Sequence, residues 1–480
     1  LNLLTFINIT ITMYVNGEST PPHILVFPFP AQGHMLPLLN LIHHLLLRFR
    51  FTATVIITPK NLPVLSPLLA AHPSAVHPLT LPFPSHPAIP TGVENLQDLG
   101  SKGIIHVLSA FTTLSPLIAN WFSSLSNPPV ALISDFFLGW SAALAQELHI
   151  PHFAFYCSGA LTTSIEEYCS RHSERLRKTE VFEFADLPGS LSFRLQDVPS
   201  LLVNYDQACP DWNVLKNSLS SNSLASGWIF NSFEALESKY LDYLRKLKGL
   251  DNVYAVGPLC INGLNKTDAT PDDKFTEMFN WLDQCPESSV LYICFGSQKF
   301  LRDDQMKNLA LALEKSGSRF IWVVKQGNIN DGQPEGFEER ISGRGLVVKH
   351  WAPQTRILGH KAVGGFISHC GWNSVLEGIE AGVVFLTWPM EGDQYLNAKL
   401  LEDDLGVALR ACAGGDSVPN SETLAGTIGE WCSENGKDRK AKALLLKEKA
   451  VACVAAGGDS CNDLDRLGDR IGKLGVRCQV

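Results

Sequence analysis

Side chains that could bind phosphate, ribose and a base are concentrated between Trp351 and Gln394. Within this stretch the apolar run GGFIS predicts a buried strand, HCGWNS predicts a tight turn, and residues 374–381 predict a short helix that ends at Gly382. A strand, a glycine-containing turn and a helix N-terminus together form an anion site. The basic residues of the stretch are Arg356 and Lys361 alone, so backbone amides and polar side chains would bind most of the anion.

The other residue types suit the remaining parts of a nucleotide diphosphate joined to a polyhydroxylated group. A tryptophan face can stack on a base, and nearby amides can read the edge of that base. A carboxylate can accept hydrogen bonds from ribose hydroxyls, and an acid beside an amide suits adjacent sugar hydroxyls. The alternative to ligand binding is that the tryptophans are core residues and that Asp393 caps a helix. In the order base, ribose, phosphate and sugar, the candidates are Trp351, Ala352, Gln354, Glu377, His369, Gly371, Asn373, Ser374, Asp393 and Gln394.

A second pair of candidates, His34 and Asp135, lies in the first half of the chain. His34 is predicted on the loop after the first strand, and Asp135 follows another strand of the same half. Ligands of open α/β sheets bind beyond the carboxyl ends of the strands. A carboxylate bonded to one imidazole nitrogen fixes the tautomer and leaves the other nitrogen as a general base. The alternative is that His34 caps a helix and Asp135 N-caps the helix beginning at Gly139.

Buried apolar strands alternate with amphipathic helices, which predicts an α/β fold with parallel, doubly wound sheets. The alternation restarts after the polar stretch 262–274, so we predict two Rossmann-like halves with a cleft between them and a boundary near residue 255. The segment 437–473 is helical by pattern. Predicted strands are 23–29, 51–58, 130–134, 152–156, 253–258, 289–295, 319–324, 345–349, 364–368, 383–388 and 406–410, with helices at 36–47 and 304–315.

Composition and the absence of common motifs disfavour several classes of protein. The length of 480 residues favours two or three domains, and the net charge of −9 disfavours a nucleic-acid partner. The twelve cysteines include no C-x-x-C pair and suggest reduced thiols in a cytoplasmic protein. The motifs G-x-G-x-x-G, G-x-x-x-x-G-K-[ST], G-x-S-x-G and H-E-x-x-H are absent, which disfavours a dehydrogenase, a P-loop NTPase, a serine hydrolase and a zincin.

The apolar residues at the start of the chain lack a basic region and are too short to span a bilayer. We therefore expect no stable membrane insertion. We expect Met13 to be the natural start, with the first twelve residues an upstream extension; the alternative is a membrane-directing segment.

The stretch from Trp351 to Gln394 closely resembles the signature PSPG box of the plant family-1 UDP-dependent glycosyltransferases. WAPQ, ILGH, SHCGWNS, LEG and the WP…DQ ending all stand at the family spacing, without insertion or deletion. FPAQGHMLPLL resembles the first loop of the family, FGS (295–297) its donor-side loop, and GGDSCNDLDRL its final helix. The resemblance covers nearly all of residues 20–475. Val384 departs from it, since the family usually has proline there, and the glycine-rich stretch 413–416 is atypical.

The resemblance implies a GT-B fold of two facing Rossmann-like domains. Residues 13–255 would bind the acceptor, residues 256–457 would bind the UDP-sugar, and the helix 458–475 would pack back on the first domain. It implies an inverting, metal-independent transfer without a cofactor, with His34 as the base and Asp135 as its partner. Ser297 would lie near the phosphates, and Trp372 would hold the sugar together with Asp393 and Gln394.

The identity of the two substrates is less constrained. A terminal Gln394 favours UDP-glucose in this family, although members that use rhamnose or xylose share the same ending. The loops 82–100 and 186–215 are long and irregular and would line the acceptor cleft. A flat aromatic acceptor, such as a flavonoid or small phenolic, would contact Gly33, Phe136, Phe137 and Tyr156.

We expect the enzyme to be a monomer. Two alternatives are a non-catalytic nucleotide-sugar-binding protein, which the presence of both residue pairs disfavours, and a nucleotide-dependent oxidoreductase, which the missing glycine fingerprint disfavours.

Overall fold

The computed structural model describes residues 20–171, 181–189, 191–199, 201, 205–264, 273–297, 299–324 and 333–477. The predicted start at Met13 and the twelve residues before it lie outside this part of the chain. So do residues 265–272 of the predicted linker.

The first half of the chain builds a sheet of seven parallel strands in the order β3-β2-β1-β4-β5-β8-β9. Its inner strands are buried almost throughout, as expected for apolar runs that helices cover on both faces. The order reverses between β1 and β4, so the residues that follow these two strands meet at one switch point. The strands are β1 (His23–Phe27), β2 (Thr52–Ile57), β3 (Val76–Thr80), β4 (Ala131–Asp135), β5 (His152–Tyr156), β8 (Gly227–Phe230) and β9 (Val253–Ala255), and an antiparallel pair, β6 (Val181–Phe184) and β7 (Leu191–Arg194), stands apart.

The second half builds a sheet of six parallel strands in the order β12-β11-β10-β13-β14-β15. Here the switch point lies between β10 and β13, which brings the loop at Gly296 beside the loop at His369. The prediction of two parallel α/β sheets is therefore confirmed. The strands are β10 (Val290–Cys294), β11 (Arg319–Val323), β12 (Gly345–Val348), β13 (Val363–Ser368), β14 (Val384–Thr387) and β15 (Ala408–Arg410).

Helices cover both sheets, and the first helix and the helical tail differ from the prediction. The first helix begins at Gln32, four residues earlier than predicted, so His34 lies in its first turn and not on a loop. The predicted helical tail is broken near Gly457, whose φ of +84° belongs to the left-handed region that favours glycine. The helices are α1 (Gln32–Arg48), α2 (Ser66–Ala71), α3 (Leu96–Leu99), α4 (Ile104–Thr112), α5 (Ser115–Ser123), α6 (Ser141–Glu147), α7 (Ala160–Arg171), α8 (Pro210–Ser221), α9 (Glu234–Lys248), α10 (Thr276–Gln284), α11 (Asp303–Ser316), α12 (Phe337–Arg340), α13 (Gln354–Leu358), α14 (Trp372–Ala381), α15 (Gln394–Lys399), α16 (Ser421–Cys432), α17 (Lys437–Val454) and α18 (Asp459–Arg477).

Helix α18 lies against the first sheet. Its Asp463 accepts a hydrogen bond from the backbone N–H of Ala255 at 2.7 Å, and its Asp465 pairs with Arg48 at 2.7 Å. Leu467 and Ile471 are fully buried on the same helix. These contacts connect the end of the chain to the first half, and the domain division at residue 255 stays a prediction.

No single helix in the described ranges is both long and apolar enough to cross a membrane. The segments 101–112 and 115–123 meet the criterion only as a pair bent by 42°. Apolar side chains of the first segment, including Val107, Leu108 and Phe111, are buried in the protein core.

Candidate active site

His34 and Asp135 meet at the switch point of the first sheet. Asp135 ends β4 and is fully buried, while the His34 side chain keeps 18% of its exposure. His34 Nδ1 lies 2.9 Å from Asp135 Oδ2, and Asp135 Oδ1 accepts a hydrogen bond from the Phe137 N–H at 2.9 Å. The carboxylate thus caps the turn 136–138 with one oxygen and holds the imidazole with the other. A carboxylate accepts, so Nδ1 carries the proton and Nε2 keeps a free lone pair.

Aromatic rings form the wall behind His34. Its ring stacks on Phe137 with centroids 4.9 Å apart, and Phe136 lies 5.8 Å away at a similar tilt. Tyr156 stacks on Phe136 at 5.3 Å and is 2% exposed. Phe136 and Phe137 therefore hold the imidazole plane, and Tyr156 supports Phe136 from behind. Their contact with an acceptor stays a prediction.

Cys157 completes this cluster and was missed by the sequence reasoning. Its Sγ lies 3.2 Å from His34 Nδ1 and 3.9 Å from Asp135 Oδ2. Burial raises the pKa of the Cys157 thiol well above its ordinary value, so the group is a neutral thiol at physiological pH. Cys157 directly follows β5, the neighbour of β4, so the rule that identified Asp135 could have identified it too.

His369 occupies the switch point of the second sheet, directly after β13. Its ring is held between two glycines, since a Cβ at Gly296 would lie 2.7 Å from Nε2 and one at Gly371 would lie 2.5 Å from it. Burial lowers the pKa of His369 to about 4, so the ring is neutral at pH 7. Its Nδ1 is buried without a hydrogen-bond partner among the described residues.

Helix α14 starts two residues earlier than predicted, at Trp372, and ends at Gly382 in the left-handed conformation as predicted. Its N-cap, Gly371, supplies no side-chain cap, so the first-turn amides are free for an anion. Two side chains of this turn reach the first domain. The Trp372 indole N–H donates to Asn231 O at 2.8 Å, and Asn373 Nδ2 donates to Gly33 O at 2.9 Å.

These contacts assign part of the predicted donor set to the domain interface. Trp372 is 4% exposed and its N–H is already bonded, so its indole packs between the domains in this conformation. Contact of Trp372 with the sugar and of Asn373 with the diphosphate stay predictions.

The predicted base and ribose residues lie together at the start of α13 and on α14. The Trp351 ring lies 6.2 Å from the Phe275 ring between centroids, in an edge-to-face arrangement, and Trp351 is 73% exposed, so most of the indole remains open. Gln354 Nε2 donates to Glu377 Oε2 at 2.6 Å and to Ser374 Oγ at 3.1 Å. Burial raises the pKa of Glu377 to about 7, against the opposing effect of the Gln354 bond. Ala352, beside Trp351, is 7% exposed.

The predicted sugar residues lie at the start of α15. Gln394 Oε1 accepts hydrogen bonds from the N–H groups of Met390 at 3.0 Å and Glu391 at 3.1 Å, which fixes the loop before the helix. Asp393 Oδ2 accepts from Asn397 Nδ2 at 2.8 Å, and burial raises the pKa of Asp393.

A contact across the cleft at Glu391 was also missed from the sequence. Its carboxylate pairs with Lys299 at 2.6 Å and accepts from Ser101 of the first domain at 3.1 Å. Ser297 lies half-buried in the same loop as Lys299, after β10.

Known proteins match this chain along most of its length. The family described as UDP-glucoronosyl and UDP-glucosyl transferase matches residues 234–412. UDP-glycosyltransferase 89A2 of Arabidopsis thaliana is 48% identical over 94% of this chain and 96% of its own length. Flavonol 3-O-glucosyltransferase UGT89B1 of Arabidopsis thaliana is 42% identical over 97% of this chain and 100% of its own length.

The chain belongs to the plant family-1 UDP-dependent glycosyltransferases. It is a UDP-glycosyltransferase, and a UDP-sugar is its co-substrate.

Solved structures of this glycosyltransferase family confirm the GT-B fold. Arabidopsis thaliana UGT89C1 in complex with UDP-L-rhamnose superposes with a TM-score of 0.77 at 35% identity, covering 94% of this chain and 99% of that one. The same protein in complex with quercetin gives a TM-score of 0.77 over 94% of this chain and 100% of that one. The two facing domains and the cleft predicted from the sequence are those of a GT-B glycosyltransferase.

Proposed function

We propose that this glycosyltransferase moves glucose from UDP-glucose to a hydroxyl of a flavonoid or small phenolic, with inversion and without a metal ion. The observation that carries the proposal is the His34–Asp135 bond of 2.9 Å, in one cleft with the uncapped first turn of α14. The hydrogen bond from Asn373 to Gly33 connects these two half-sites directly.

In the proposed mechanism, His34 Nε2 removes the proton of the acceptor hydroxyl as the oxygen attacks the anomeric carbon. The attack comes from the face opposite UDP, so an α-linked donor yields a β-glycoside. The first-turn amides of α14 and the neutral ring of His369 stabilise the charge that develops on the diphosphate. Asp135 stabilises the imidazolium that forms.

Glucose is the proposed sugar because the box ends in Gln394, whose side chain fixes the loop beside Asp393. The name of UGT89B1 as a glucosyltransferase supports this choice. UDP-rhamnose and UDP-xylose are the alternative donors, and UGT89C1 has been solved with UDP-L-rhamnose.

A flavonoid acceptor is supported by two relatives, since UGT89B1 is named for flavonols and UGT89C1 has been solved with quercetin. We further propose a cytoplasmic monomer. Both half-sites come from one chain, and no disulfide joins any of the eleven described cysteines, which suits a reducing compartment.

The test is to incubate the full chain with UDP-glucose, UDP-rhamnose or UDP-xylose against a panel of flavonols and simple phenols, with product mass as the readout. The proposal predicts a mass gain of one hexose on a flavonol. A gain of a deoxyhexose or pentose would replace the donor assignment. Binding of UDP without any product would favour the non-catalytic alternative.

A further inference from the structure

The predicted catalytic base and two other side chains meet from three different elements. His34 comes from the first turn of α1, Asp135 from the end of β4, and Cys157 from the position after β5. The atoms Nδ1, Oδ2 and Sγ are separated by 2.9, 3.2 and 3.9 Å and lie within 4.8 Å of one another. One imidazole nitrogen, one carboxylate oxygen and one thiol sulfur therefore face a common centre.

This triangle has the dimensions of a metal site. A cation at its centre would lie about 2 Å from all three atoms, close to Zn–N and Zn–O bond lengths and slightly shorter than Zn–S. Imidazole, carboxylate and thiolate are also the ligand types that zinc prefers. The second oxygen of Asp135 is held by the Phe137 N–H, which orients the carboxylate as outer partners do in metal sites.

We propose that His34, Asp135 and Cys157 form a binding site for a thiophilic divalent cation, such as Zn²⁺ or Cd²⁺, that inhibits the glycosyl transfer. The inhibition rests on the proposed role of His34 as the base, whereas the binding of the cation does not. The bound cation is inhibitory and takes no part in the transfer step.

The inhibition follows from the two nitrogens of one ring. Without a cation, Nδ1 carries the proton and donates to Asp135, and Nε2 is the base. A cation on Nδ1 needs the lone pair there, so the single ring proton must reside on Nε2. His34 then presents a donor to the acceptor hydroxyl where the reaction requires an acceptor.

Proton release accompanies binding. The ring proton moves from Nδ1 to Nε2, the Asp135 carboxylate exchanges its bond to the imidazole for a bond to the cation, and the thiol of Cys157 loses its proton to solvent. The sulfur therefore binds as a thiolate, with about one proton released for each cation. Affinity for the cation should increase with pH, because the cation competes with the thiol proton.

A second cluster provides an internal control. His86 and His106 both lie near Asp211 Oδ2, at 3.3 and 2.6 Å, and this group could also attract a divalent cation. It contains no sulfur. Cobalt bound to the first site is distinguished from cobalt bound to the second by sulfur-to-metal charge transfer.

The binding experiment titrates Co²⁺ into the full chain and into the variants C157A and H106A. The proposal predicts a sulfur-to-cobalt charge-transfer band that saturates near one equivalent, persists in H106A and disappears in C157A. The variant C157S should lack the band as well. If its thermal unfolding matches that of the unmodified chain, the loss of the band is not caused by misfolding. A band of equal intensity in C157A, or no band in the unmodified chain, overturns the site.

The activity experiment titrates Zn²⁺, with each variant normalised to its own metal-free rate. We expect half-inhibition of C157A to require at least about tenfold more Zn²⁺ than half-inhibition of the unmodified chain. H106A should be inhibited at the same Zn²⁺ concentration as the unmodified chain, and EDTA should restore the rate. Saturation of the charge-transfer band without inhibition would overturn the inhibitory role, while the binding site itself would still be supported. Failure of the proposed function itself is visible separately, as absence of transfer before any cation is added.

Discussion

At the scale of the residue, the two histidines of the cleft are set to opposite tasks by their surroundings. His34 has a carboxylate on Nδ1 and a partly exposed ring, which suits a base that becomes an imidazolium. His369 is enclosed by two glycines, and burial lowers its pKa to about 4, so its ring stays neutral at pH 7 where the diphosphate is proposed to bind. An additional methyl group at Gly296 or Gly371 would displace that ring.

Glu377 makes the stability of the ligand-free protein depend on pH. Its pKa is about 7 in the fold against an ordinary value of 4.5, so between these values the folded state binds more protons than the unfolded state. Stability contributed by this group is therefore lost as the pH rises through that window. We expect Glu377→Gln, which keeps the hydrogen bond to Gln354, to gain melting temperature relative to the unmodified protein as the pH rises from 5 to 7. A difference that stays constant with pH would contradict the assigned shift.

At the scale of the element, Pro37 in helix α1 leaves a backbone carbonyl available for a hydrogen bond between the two domains. A helical residue donates its N–H to the carbonyl four residues earlier, and Pro37 has no N–H to donate to Gly33. The Gly33 carbonyl is therefore free to accept from Asn373 of the second domain. The first turn of α1 thus carries His34 and also bonds to the first turn of α14.

Substitutions at Pro37 and Asn373 should be energetically coupled. Asn373→Ala removes the interdomain bond and should cost about 1 kcal/mol in stability. In a Pro37→Ala background the new N–H can bond Gly33, so the same substitution should cost clearly less. Urea unfolding of the two single variants and the double variant gives the coupling. Additive effects would show that the free carbonyl at Gly33 does not matter.

The strands and the glycine at the end of α14 follow from apolar runs and turn residues, which are local signals, whereas the strand order that creates the switch points comes from the structure. The start of α1 at Gln32 could not be predicted in this way. The prediction put Pro37 in the first turn of the helix, whereas the helix continues for five residues before it. Contacts such as those of Trp372 with Asn231 and of Cys157 with His34 join residues far apart in the chain. No local pattern specifies them, although strand adjacency indicates where to look.

At the scale of the whole molecule, the cleft depends on contacts that keep two independent sheets in one arrangement. Trp372 and Asn373 cross from one side, Ser101 meets Glu391 at another, and α18 returns to the first sheet. The proposed base and the proposed anion site lie on different domains, so these contacts would determine the distance between the reacting groups.

Leu467 on α18 tests the contribution of the returning helix. It is fully buried against the first domain, so Leu467→Ala should cost about 2–5 kcal/mol by loss of apolar burial and creation of a cavity. Leu445 on the preceding helix is 51% exposed, and Leu445→Ala should change stability by less than about 0.5 kcal/mol. Equal effects in denaturant unfolding would mean that α18 does not stabilise the fold in this way.

The most direct test of the account compares UDP binding and sugar transfer in the variant His34→Ala. UDP contacts the second domain in the proposed arrangement, so calorimetry should show unchanged UDP affinity. Transfer should fall by about a thousandfold, within the range that a general base contributes. His360→Ala, which removes a histidine bonded to Asp283 in the second domain, is the matched control and should retain transfer. Near-normal turnover in His34→Ala would contradict the assignment of His34 as the base.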